Sequence, residues 1–167
     1  MRRLILATYV AALAACGPSA PKQSAPSAPP PTAARPDPAV MQARVTALAA
    51  PYNEADYLAG RRAFGSCASC HTLNDGGITR QGPNLYGLFD RNIGAKEGFA
   101  YSQAVQDADF KWDAAQLDHW LENPRTFLPG NRMAFAGVRD ATQRRDLIAF
   151  LMVETAPAPP AEPAPAN

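Results

Sequence analysis

Residues 67–71 read Cys67-Ala68-Ser69-Cys70-His71, a C-x-x-C-H pattern. Two cysteines three apart on one turn bring two thiols side by side, and each can form a thioether to a haem vinyl group. The histidine that follows directly then presents its imidazole to the iron. One spacing serves attachment and ligation together, so a chain that uses it must fold around a cofactor. Two other chemistries use paired cysteines. A redox dithiol wants a βαβ context, and none flanks the motif. A zinc site wants further ligands. Between Tyr52 and Glu154 there is no third cysteine, and the only other histidine is His119.

The third cysteine, Cys16, belongs to a different signal. Arg2 and Arg3 precede an apolar run, Leu4 to Ala14, of signal-peptide length and too short to span a bilayer. The run ends in Leu13-Ala14-Ala15-Cys16-Gly17, which resembles the bacterial lipobox. Residues 1–15 are therefore expected to be a lipoprotein signal peptide, with Cys16 lipidated. Cleavage after Ala14, at an A-x-A site, is the ordinary alternative. Arg2-Arg3 lacks the surrounding motif of twin-arginine export.

Seventeen prolines are concentrated outside the middle of the chain. Such Pro/Ala/Ser segments bury too little apolar surface to offset the entropy of ordering. Residues 16–51 are expected to be a membrane tether, with Val40 to Ala50 either one short helix or more tether. Proline favours an extended conformation, so about twenty such residues reach on the order of 60 Å. Residues 52–154 are expected to form the folded domain and residues 155–167 a disordered tail.

Within the domain, Asn53 is expected to cap a helix from Glu54 to Ser66. Gly60, between Tyr57 and Phe64, permits a close helix crossing. Gly76, Gly77, Gly82, Gly87, Gly94 and Gly98 mark a long loop region that would wrap the cofactor. Asp113 with Gln116, and Asp140 with Gln143, predict the starts of two further helices, the first ended by Pro124. Leu147, Phe150 and Leu151 make the buried stripe of the last helix. No convincing alternating strand is present, so the fold class is all-α, with three main helices.

The sixth iron ligand has four candidates: Met133, His119, Met152 and Met41. Met133 follows the Pro129-Gly130 turn, where backbone can wrap a haem edge. His119 lies opposite the apolar face formed by Leu117, Trp120 and Leu121, and reads as a solvated surface residue. Met41 falls in the tether and Met152 in the last helix, where packing suffices. Met133 is the expected ligand. Methionine–histidine ligation raises the reduction potential and closes the iron to substrates.

Six ordered motifs resemble class I cytochrome c, the mitochondrial and bacterial electron carrier, over about Gly60 to Leu151. They are residues 67–71, Gly82-Pro83-Asn84-Leu85-Tyr86-Gly87-Leu88-Phe89, Gly98-Phe99-Ala100-Tyr101-Ser102, Trp120-Leu121-Glu122-Asn123-Pro124, Pro129-Gly130-Asn131-Arg132-Met133 and Asp146-Leu147-Ile148-Ala149-Phe150-Leu151. The resemblance implies the cytochrome c fold around one covalent haem c. It implies that the Pro83 carbonyl accepts from His71, and that Arg91, Tyr101 and Trp112 reach the haem propionates. It puts Trp120 where the family often has a tyrosine beside the axial methionine, and Asn131 where a threonine is common. Phe150 would pack near Gly60. The chain would be an electron carrier and not an enzyme.

The formal net charge of +1 argues against a nucleic-acid binder. Between Tyr52 and Glu154 eleven Lys/Arg stand against thirteen Asp/Glu, so the family's lysine-rich docking face is largely missing. Arg125, Arg132, Arg139, Arg144 and Arg145 would form a local basic rim. The expected partners are a cytochrome bc complex as donor and a terminal oxidase or photosynthetic reaction centre as acceptor. The protein would be a monomer held by its lipid on the periplasmic side of a bacterial membrane, the inner one by its role, the outer one being the alternative. Because haem supplies much of the core, a haem-free Cys67→Ala/Cys70→Ala variant is predicted to be poorly folded. A circular-dichroism melt of that variant should lack a cooperative transition; a sharp one would refute the expectation.

Overall fold

The computed structural model describes residues 36–157. The signal peptide, Cys16, most of the tether and most of the tail lie outside the described residues. Among the described residues six α-helices follow one another: α1 (Pro38–Thr46), α2 (Tyr57–Phe64), α3 (Gln103–Asp107), α4 (Ala114–Glu122), α5 (Pro124–Phe127) and α6 (Ala141–Thr155). A 3₁₀ turn at Tyr52–Glu54 joins α1 to α2. Among the described residues there is no strand, only one isolated bridge between Asn92 and Lys111. The fold is all-α, as expected.

Side-chain caps set the helix starts. Asp113 accepts from the Gln116 N–H at 2.7 Å, and Asp140 from the Gln143 N–H at 2.7 Å. Both satisfy a backbone donor that the helix itself cannot. α4 stops before Pro124, which begins α5 as its first residue. The first domain helix starts later than the sequence suggests. Asp56, not Asn53, is its cap, accepting from the Ala59 N–H at 2.6 Å. The stretch before it is occupied by the 3₁₀ turn, and Ala55 is extended (φ −76°, ψ 153°).

α2 and α6 cross at Gly60. A Cβ there would lie 2.1 Å from the Asp146 carbonyl oxygen and 2.6 Å from Phe150 Cβ. Only a residue without a side chain lets the backbones come this close. Tyr57 and Phe64 both pack on the Phe150 ring, with centroids 5.4 and 5.5 Å away. α6 is buried well beyond a stripe: Leu147, Ile148, Ala149, Phe150, Leu151 and Val153 are all in the core. Arg144 is buried too, with its guanidinium on Asp118 (2.8 Å) and on the Val138 and Arg139 carbonyls. It ties α6 to α4 and does not belong to a surface rim. Arg145 is likewise engaged, with Asp146 at 3.4 Å and Glu54 at 3.7 Å.

The expected boundary at residue 52 is corrected. Met41 and Val45 on α1 are 2% and 0% exposed, inside the same core. Gln42 donates to the Ala55 carbonyl at 2.9 Å and accepts from the Tyr57 N–H at 2.8 Å. One carboxamide thus satisfies both backbone groups of the connection into α2. The reason is local: Asp37 caps α1 and Pro38 starts it, which makes a short helix out of a composition that otherwise reads as linker. At the other end, Thr155 is fully buried and closes α6, its carbonyl accepting from the Gly87 N–H at 2.8 Å. Residue 155 therefore belongs to the domain. Met41→Ala in the haem-loaded protein should cost about 2–5 kcal/mol in denaturant unfolding. A tether residue would give no measurable change.

Candidate functional site

The C-x-x-C-H motif sits on the turns that continue from α2. The Ala68 N–H reaches the Phe64 carbonyl at 3.1 Å, and the His71 N–H reaches the Cys67 carbonyl at 3.0 Å. The crossing at Gly60 therefore fixes the motif at the end of a helix that is itself locked on α6. Cys67 and Cys70 are half-buried and neither is in a disulfide. Burial pushes the Cys67 thiol up, with Ser66 partly opposing. Cys70 Sγ lies 3.5 Å from Gln81 Oε1 and 3.6 Å from Ser69 Oγ.

His71 Nδ1 stands 2.7 Å from the Pro83 carbonyl oxygen. A carbonyl only accepts, so Nδ1 carries the proton and Nε2 keeps its lone pair. Burial lowers the His71 pKa and so favours the neutral imidazole, while the Pro83 contact acts in the opposite sense. Gly82 makes room for the ring. A Cβ at Gly82 would lie 2.3 Å from His71 Cε1 and 2.7 Å from Nε2. The Gly82 N–H also donates to the Cys70 carbonyl at 3.0 Å, so the 82–83 segment is pinned to the motif it buttresses.

Asn84 extends that support. It is fully buried, and its amide nitrogen donates to the Thr72 carbonyl, Thr72 Oγ1 and the Asn74 carbonyl at 2.8–3.2 Å. Its Oδ1 accepts from the Tyr86 N–H at 3.1 Å. Asn84 lies in one of the six motifs, yet sequence reasoning assigns it no role. The signal that could have found it is an asparagine directly after Gly-Pro, a residue type suited to bonding nearby backbone.

Arg91 is half-buried and donates to the carbonyls of Tyr86 (2.8 Å) and Asn84 (3.4 Å). Burial lowers its pKa, with Tyr101 acting in the opposite sense. Burial in turn raises the Tyr101 phenol, and Arg91 opposes that. Among the described residues Arg91 forms no ion pair with a carboxylate. A partly desolvated cation beside a phenol fits an acidic group brought by a ligand. Trp112 lies edge-on to Trp120 at 5.4 Å, and Trp120 to Phe127 at 5.9 Å. Paired thiols, a neutral imidazole with a free Nε2, and an Arg–Tyr pair are a donor set that fits haem c.

Of the four ligand candidates, Met41 is buried on α1, Met152 packs against the core from α6, and His119 is exposed on α4, as a surface residue would be, lining a cleft whose walls include no residue of the cysteine motif. Met133 lies in the loop after α5 and packs against the core. A cleft of about 450 Å³ opens beside it, lined by Arg125 and residues 129–134. The His119 cleft, of about 460 Å³ between the 3₁₀ turn, α4 and α6, includes none of the expected site residues.

The cytochrome c family model matches residues 57–153, more than half of the chain. The chain belongs to the cytochrome c family. Cytochrome c of Stellaria longipes is 42% identical over 105 residues, which cover 62% of this chain and 97% of that protein. Cytochrome c of Chlamydomonas reinhardtii is 45% identical over 102 residues (60% and 91%), and that of Theileria parva 44% over 99 residues (59% and 85%). Members of the family carry electrons and are not enzymes, and they hold one covalent haem c with its iron. Cys67 and Cys70 fit the attachment motif. α1 precedes the matched span.

Gly82→Ala should displace the His71 ring and break its bond to Pro83. In the reduced, haem-loaded protein the His71 ring resonances should shift or broaden in NMR spectra. Gly76→Ala, where a Cβ meets nothing within 4 Å, should leave them in place despite its backbone strain.

Proposed function

We propose that the protein is a membrane-tethered monohaem electron carrier in which His71 and Met133 would ligate the haem iron. The observation that carries this reading is the His71–Pro83 contact, which leaves Nε2 as the free nitrogen beside two unlinked cysteines. Bound haem c supplies a one-electron iron couple. Cys67 and Cys70 hold it through thioethers. Pro83 holds the Nδ1 proton of His71 and so fixes the direction of Nε2. Arg91 and Tyr101, with Trp112, offset propionate charge in a low-dielectric setting. Met133 would supply the second iron ligand, with Trp120 on the methionine side, and such closure favours electron transfer over substrate chemistry.

Export and anchoring rest on sequence: the apolar run to Ala14, Cys16 and the proline-rich stretch after it. With α1 folded, the leash is residues 16–36. Anchoring at the periplasmic face of the inner membrane would hold the carrier near membrane partners at about millimolar effective concentration. That suits a domain with no excess of positive charge for long-range steering. A cytochrome bc complex as donor and a terminal oxidase or reaction centre as acceptor complete the proposal.

Two measurements test it. The oxidised protein should show the weak near-infrared band of methionine–iron ligation, and Met133→Ala should abolish it while Met152→Ala preserves it. In cells, mass spectrometry of the mature N-terminus should find acylated Cys16, and Cys16→Ser should release the protein from membranes. An unmodified N-terminus in the soluble fraction would refute the anchor.

A further inference from the structure

We infer that Asn131 is a positioning residue that holds Met133 on the iron and sets how easily other ligands displace it. This rests on Met133 being the axial ligand, as proposed above. Met133 lies on a loop with no helix or strand to fix it. Its backbone N–H is held instead by a side chain. Asn131 Oδ1 accepts from the Met133 N–H at 2.9 Å. The same carboxamide donates through Nδ2 to the Pro124 carbonyl at 2.7 Å and to the Leu128 carbonyl at 2.8 Å.

Those three bonds use both amide protons and the amide oxygen. The side-chain orientation is therefore set: flipping it would aim the oxygen at two carbonyls and the NH₂ at an N–H. Few residues can take this place. Aspartate accepts but cannot donate to the carbonyls, and a hydroxyl has a single proton for two of them. Each anchor point has its own restraint. The Pro124 carbonyl also closes α5 by accepting from the Leu128 N–H at 3.1 Å, and the Leu128 carbonyl accepts from the Asn131 N–H at 3.2 Å. Asn131 thus transmits the rigid end of α5 to Met133 across the Gly130 turn (φ +88°). From the other side, the Arg132 guanidinium donates to the Ala100 carbonyl, and the Phe135 N–H to the Met133 carbonyl at 3.0 Å. The loop itself lines a cleft of about 450 Å³ together with Arg125.

The chemistry is a ligand exchange with no change of oxidation state. The Met133 sulfur leaves the ferric iron and an added nitrogen base takes its place. A loop already held in the ligating position resists that exchange, because ordering Met133 costs nothing further. Without Asn131 the loop has more open states, and exchange becomes easier.

The test uses the haem-loaded ferric protein and imidazole as the added ligand. Asn131→Ala should bind imidazole about tenfold or more tightly than the parent, weaken the near-infrared band and lower the reduction potential. Asn131→Asp should do the same, because it keeps the acceptor and loses both donors. Asn131→Ser, a milder change, should shift affinity in the same direction and serves if the alanine variant does not load haem. Asn123→Ala is the control. Asn123 caps α5 through the Thr126 N–H at 3.3 Å and does not touch Met133, so it should lower stability with little effect on imidazole affinity. Equal affinity in parent and Asn131 variants would overturn the inference, as would an Asn123→Ala shift as large as that of Asn131→Ala. If Met133→Ala leaves the near-infrared band in place, the ligand reading itself fails and the inference with it. If that band is lost in Met133→Ala but imidazole affinity is unmoved in Asn131→Ala, only the inference fails.

Discussion

At Gly60 one helix rests directly on the backbone of another, and the position of the haem motif follows from that contact. The 2.1 Å that would separate a Gly60 Cβ from the Asp146 carbonyl leaves no space for any side chain. Tyr57 and Phe64 both pack on Phe150 and help to set the register of the crossing. The turns that continue from α2 inherit this placement and carry Cys67, Cys70 and His71 with them. Apolar burial supplies the driving force, but the missing side chain at one position decides how close the helices come.

Away from that crossing the protein relies on carboxamides. Gln42 bridges Ala55 and Tyr57, Asn84 gathers the Thr72 and Asn74 backbone, and Asn131 joins the end of α5 to Met133. Each side chain donates and accepts at once, which suits it to irregular backbone where no ladder of hydrogen bonds exists. Long loops can then be ordered without strands. The same division explains why α1, outside the family span, is firmly part of the body: its apolar residues enter the core and Gln42 completes the connection.

Much of the site is legible in the residue order. The cysteine spacing, the helix starts at Asp113 and Asp140, and the Gly60 crossing follow from local chemistry: thioether geometry, capping and the absence of a Cβ. The late start of α2 is not legible there, because Asn53 and Asp56 are both good caps and tertiary packing of the 3₁₀ turn chooses between them. Residues 38–46 resemble linker in composition, and their burial depends on a surface that α2 makes together with α6, which lies far along the chain. Arg144 illustrates the same limit. Its charge suggests a surface rim, whereas Asp118 and two carbonyls draw it inside.

By itself the sequence determined the chemistry: two thiols and an imidazole at the one spacing that suits haem attachment, a methionine after a Pro-Gly turn, and a family resemblance in six ordered motifs. Those features are local, and local covalent geometry is written directly in residue order. Only the tertiary structure decided which nitrogen of His71 stays free, which side chains hold the loops, and where the domain begins. Those outcomes depend on contacts between residues far apart in the chain, such as Gly87 with Thr155 and Asp118 with Arg144, and a hydrogen bond or a buried contact exists only once both partners have been brought together.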